Sequence, residues 1–125
     1  MKRILLSFAL LTLAAISIAC SPAAAAPIPS GPVADGPTII AKDLKFDRTS
    51  VEVKADQNFT LHFDNQESAP HNVAIYADSG FTQKVSIGEI VTSARKDQVV
   101  PALKAGTYFF RCDIHPAMKG EIVAR

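Results

Sequence analysis

At 125 residues the chain has room for one hydrophobic core and not for two. Thirteen Lys and Arg against twelve Asp and Glu leave a net charge of +1, which removes the basic surface a nucleic-acid partner needs; 48% apolar and 20% charged residues exclude a disordered polar tract. Two cysteines cannot build a disulfide scaffold.

Lys2 and Arg3 precede an apolar run from Ile4 to Ala19, broken only by Ser7, Thr12 and Ser17, and Cys20 follows with small residues after it. That is the plan of a bacterial export signal over residues 1–20. The run is short for a membrane-spanning helix, and its flank is wrong for one. The domain is therefore expected in the periplasm or at the cell surface. Cys20 sits where a lipoprotein signal places its acylated cysteine, and acylation there would tether the domain to a membrane face. Ser17-Ile18-Ala19 lacks the Leu that a lipobox prefers three residues before the cysteine. Ordinary cleavage after Ala19, or within Ala23 to Ala26, is the competing reading.

Residues 21–37 contain five of the eight prolines, which marks a semi-extended spacer. The folded part is read as 38–125. Thr38 to Ala41 starts a strand, and Leu44 to Phe46 continues it past a bulge. Ser50 to Lys54 alternates at period two, and Asn58 to Asp64 does so more clearly. There Phe59, Leu61 and Phe63 share the core face, while Thr60, His62 and Asp64 share the other. Asn72 to Tyr76 pairs Val73 with Ile75. The stretch from Asp78 to Ser93 holds a short helix or a long loop. Gln98 to Leu103 is an edge or bulged strand, because Pro101 cannot donate to a ladder. Lys104 to Thr107 is a turn. Tyr108, Phe110 and Cys112 then share one face, and Glu121 to Ala124 is the last strand. Short strands at this spacing predict an all-β, antiparallel sandwich.

The scarce residues fall in one place. Cys112, His115 and Met118 lie within seven residues, and His71 sits at the mouth of another predicted strand. A thiolate and two imidazoles with a long axial thioether form the blue-copper donor set. Zinc fits less well, because thioether is not among its usual ligands. Fe–S clusters and attached haem need more cysteines. Taken singly, each of the four has an ordinary explanation as a core or turn residue; their joint spacing is what points to a metal. His62 faces away from the core and reads as a solvated strand residue, with a second, weaker copper site as the other reading.

The run from Tyr108 to Gly120 resembles the copper loop of the cupredoxins, the type 1 blue-copper proteins, and its Cys-x-x-His-x-x-Met spacing is plastocyanin/amicyanin-like. Pro70-His71-Asn72-Val73 is similar to the upstream ligand segment of that family. The resemblance spans about 38–125 and implies a Greek-key β-sandwich with one copper ion cycling between Cu(I) and Cu(II). It implies Cys112, His71, His115 and Met118 as ligands, with His71 buried, His115 at the surface and Met118 axial. It also implies that Asn72 ties the two ligand loops together by hydrogen bonds. Asp113 beside the thiolate should favour Cu(II). Arg111 and Lys119 read as a solvated rim. Ala69, Pro70, Pro116 and Ala117 would form a flat patch where a transient redox protein partner docks near His115.

The implied function is a monomeric single-electron carrier of the bacterial envelope, not an enzyme. An envelope copper chaperone or storage protein with the same ligands is the alternative. A thiol enzyme using Cys112 as nucleophile would leave Met118 without a role.

Overall fold

Alternation of apolar and polar side chains marks the clearest strands, Ser50–Val53 and Asn58–Asn65. A computed structural model of the protein describes residues 31–125; the predicted export signal, Cys20 and the spacer up to residue 30 lie outside the described residues. The described chain is all strand and loop: β1 (Val33–Lys42), β2 (Lys45–Phe46), β3 (Ser50–Val53), β4 (Asn58–Asn65), β5 (Ala74–Tyr76), β6 (Lys84–Ile87), β7 (Arg95–Val100), β8 (Gly106–Arg111) and β9 (Lys119–Ala124). In β4 the period is unbroken: Phe59, Leu61, Phe63 and Asn65 are buried, and the residues between them are partly exposed.

Two sheets form, in the orders β2-β1-β4-β7 and β3-β9-β8-β5-β6, and one hydrophobic cluster takes side chains from both. Ile39, Leu61 and Phe63 meet Val51, Ile75, Phe110 and Ile122 there. Burying each such side chain contributes about 1.5–3 kcal/mol, so this layer holds the sheets together.

The expected all-β sandwich is present, but its sheets are not antiparallel throughout. β1 runs parallel to β4, and β3 parallel to β9, so both sheets are mixed. The cause is the crossover: β3 belongs to the second sheet, and the chain re-enters the first at β4 running the same way as β1. Leu44 to Phe46 does not continue β1 past a bulge. Asp43 and Leu44 form a two-residue turn with φ of 55° and 54°, and β2 folds back antiparallel, Ala41 opposite Phe46. β1 itself reaches back to Val33, inside the stretch read as spacer. The region from 78 to 93 holds β6 and no helix. β7 is an edge strand that stops just before Pro101.

Two connections matter for function. The loop 112–118 closes the β8–β9 hairpin, whose last pair is Arg111 with Lys119. Gly120 lets β9 pass close there, since a Cβ would run into the Phe110 ring and the Thr49 carbonyl. The loop between β4 and β5 carries His71, which is pinned by a two-way backbone bridge to Val91: each amide donates to the other's carbonyl, at 3.1 and 2.9 Å.

Candidate metal centre

The hairpin loop is held tight by its own backbone. The Cys112 amide donates to the Met118 carbonyl at 2.9 Å, and the Met118 amide donates to the His115 carbonyl at 2.9 Å. The opposing loop is held by Asn65, a buried residue whose Nδ2 donates to the carbonyls of Ala69 (2.8 Å) and Val91 (2.7 Å). Both loops are thus fixed before any ligand is considered.

They bring three donors together. His71 Nδ1 lies 3.6 Å and His115 Nδ1 3.9 Å from Cys112 Sγ, and the two nitrogens are 3.1 Å apart. The centre of that triangle is roughly 2.1 Å from each donor, which is bonding distance for imidazole nitrogen and close to it for thiolate sulfur. His71 and Cys112 are fully buried and His115 partly exposed. Cys112 is a free thiol. Met118 is buried at the foot of the same loop. Two imidazoles and a thiol turned toward one point, with a thioether in the loop, fit copper, which takes soft sulfur donors together with imidazole.

The outer contacts explain why the rings point this way. Glu67 Oε1 accepts from His71 Nε2 at 2.7 Å, which leaves Nδ1 for the centre. The same carboxylate accepts from the Leu44 amide at 3.1 Å, so the β1–β2 turn is tied to His71. Glu67 had no signal in the sequence beyond lying four residues before His71. Asn72 is buried; its Oδ1 accepts from the Asp113 amide at 2.9 Å and its Nδ2 donates to the Gly88 carbonyl at 3.2 Å. It therefore joins the loop beside His71 to the loop beside Cys112.

Asp113 is not left to solvent. The Tyr76 hydroxyl donates to its Oδ1 at 2.5 Å, and Arg111 Nε donates to the same oxygen at 3.3 Å. Arg111 also stacks over the rings of Tyr76 and Phe81, so it is more than the solvated rim residue expected from sequence. Burial, and then the bond to Asp113, push the Tyr76 hydroxyl's pKa above its ordinary value.

His62 lies elsewhere, on the outward face of β4, between Asp35 and Asp97 at 2.7 Å from each. The two carboxylates approach opposite nitrogens of one ring, so the three residues do not converge on a common point for a metal.

Comparison with known proteins gives the same frame. The family described as Cupredoxin-like domain matches residues 7–124. A reduced mutant of amicyanin is similar at 25% identity and TM-score 0.55, covering 70% of this chain and 80% of that one. Amicyanin from Paracoccus versutus is 24% identical with TM-score 0.56, over 78% of this chain and 85% of its own. Auracyanin A, a "blue" copper protein of Chloroflexus aurantiacus, is 20% identical with TM-score 0.64, over 72% and 100%. Among curated proteins none matches.

Proposed function

The chain belongs to the cupredoxin-like domain family, and on that premise we propose that it carries single electrons in the bacterial envelope on one type 1 copper ion held by His71, Cys112, His115 and Met118. The triangle of Cys112 Sγ and the two histidine Nδ1 atoms carries this reading. Copper supplies the Cu(I)/Cu(II) couple, with thiolate and thioether suiting the reduced ion and imidazole suiting both. Cys112 and His71 form the buried part of the site, and Met118, buried in the same loop, would supply a thioether to the ion. His115 is the partly exposed donor and hence the port for electrons. Ile114, Pro116 and Ala117 beside it are exposed, an apolar rim suited to a brief, small contact with a redox partner.

The framework favours a carrier over a copper chaperone or store. Asn65, Asn72 and Glu67 lock both loops in place, and a rigid site needs little rearrangement when an electron moves, whereas exchange needs a site that opens. Residues 1–20 are the export signal in this reading, Cys20 is acylated or removed, and the spacer leads into a monomeric copper domain whose first strand starts at Val33 rather than at 38.

Titrating the purified protein with Cu(II) under visible light tests the proposal. One equivalent should raise an intense charge-transfer band, bleached by reductant and absent in Cys112→Ser. Absence of the band, or transfer of the metal to an acceptor within seconds, would sink the carrier reading.

A further inference from the structure

The first strand has two unequal halves. Thr38 to Ala41 pair with His62 to Asn65 and bury Ile39 and Ala41 completely. Val33 to Asp35 pair with Asn58 to Thr60, and the register shifts between Asp35 and Thr38, where Gly36 and Pro37 intervene. In this outer half Val33 and Asp35 are exposed and Ala34 is only partly covered. Backbone bonds alone hold such a segment weakly.

One side-chain contact reinforces it. His62, on β4 between β1 and β7, has Nε2 at 2.7 Å from Asp35 Oδ1 and Nδ1 at 2.7 Å from Asp97 Oδ1. Ionised carboxylates only accept, so both nitrogens must carry hydrogen and the ring must be the cation. The other charged groups facing the ring are spoken for: Asp64 on β4 and Arg95 on β7 pair at 3.3 Å. From β1 the remaining neighbours, Thr38 and Ile40, are uncharged.

We propose that Asp35, His62 and Asp97 form a proton-operated clasp that docks residues 33–35 onto the sheet. A neutral ring has one N–H and keeps one partner. Asp97 stands directly opposite His62 in an unbroken β4–β7 ladder, whereas Asp35 lies beyond the register shift with its side chain 91% exposed. Asp35 is therefore the partner that lets go. Its release frees residues 33–35 from the edge of β4. Bonds to Asp35 and Asp97 raise the pKa of His62. A raised folded-state value means the clasp's stabilisation is complete below the free-histidine value of about 6.5 and is lost as pH rises through the raised one.

The test is NMR on the full chain in its Cu(I) form, following the His62 ring and amide-exchange protection together from mildly acidic to alkaline pH. The ring should titrate above a free histidine. Protection of the amides in residues 33–35 that face β4, corrected for intrinsic exchange, should fall severalfold through the same midpoint while Ile39 and Ala41 hold. His62→Gln should leave the segment poorly protected at every pH. Asp35→Ala, an exposed change that removes the acceptor oxygen, should do the same and bring the ring's midpoint down. An unshifted ring, a flat protection profile in the native chain, or the same step in His62→Gln would each overturn the clasp.

Discussion

The molecule holds two histidine clusters, and they differ in what faces the ring nitrogens. On the outer face of the first sheet, His62 meets a carboxylate at each nitrogen. At the loop end, His71 Nδ1 faces His115 Nδ1 and a thiol, and a carboxylate meets His71 only at its far nitrogen, Nε2. A proton satisfies the first cluster. In the second, a shared proton could serve the two nitrogens but would leave the buried sulfur with nothing, while one soft cation serves all three. The histidine's role follows from its partners and its burial, not from its presence.

The strongest way to break this comparison is to load copper and remove one member of each cluster. Anything that binds only the folded state stabilises it, by about 4 kcal/mol at a thousandfold excess over Kd. Copper should therefore raise the thermal midpoint of the native protein by calorimetry. Cys112→Ser should abolish that gain, and His62→Gln should keep it. A copper-dependent gain lost in His62→Gln would mean that the two clusters are not separate.

Glu67 gives a smaller and sharper test, because it marks the one place where the buried cluster does use a carboxylate. Losing an outer contact of this kind typically costs 10–100-fold in metal affinity. Glu67→Ala should weaken copper binding by about that factor and raise the reduction potential, since a negative charge that favours Cu(II) has gone. Glu67→Gln keeps an oxygen for His71 Nε2 and for the Leu44 amide. It should restore most of the affinity while the potential stays high. Equal affinity loss in both variants, measured by competition with a copper chelator, would argue that charge and not orientation is what Glu67 supplies.

The same contrast shows what a sequence can disclose. Local alternation placed β3, β4 and β8 and turned His62 away from the core, because each needs only neighbouring residues. The ligands stood out because sulfur and imidazole are scarce here and three of the four share one loop. Parallel pairing of β1 with β4 and of β3 with β9 did not show, since it depends on which sheet the intervening strand joins. The start of β1 was hidden by Gly36 and Pro37, which interrupt the pattern. The partners of His62 come from 27 and 35 residues away, and Tyr76 reaches Asp113 across 37. No periodicity encodes such meetings; only the folded register brings them about.

The smallest expected effect concerns the turn that anchors Glu67. Asp43 and Leu44 both sit at positive φ, the requirement of a two-residue I′ hairpin turn, where glycine is favoured at the second position. A left-handed conformation costs a residue with a Cβ about 1–2 kcal/mol, and Leu44 is 55% exposed, so little packing offsets that cost. Leu44→Gly keeps the amide that donates to Glu67 and removes the strain, against a loss of less than about 1 kcal/mol from glycine's greater freedom when unfolded. Thermal unfolding should shift upward by a few degrees, while the copper absorption stays unchanged because the Glu67–His71 contact is intact. A fall in the midpoint would show that the exposed leucine packs better than its accessibility implies. A changed spectrum would show that the turn reaches the metal centre by its side chain as well as its backbone, and the separation between a buried, backbone-braced cluster and a surface one held only by charge would need redrawing at that turn.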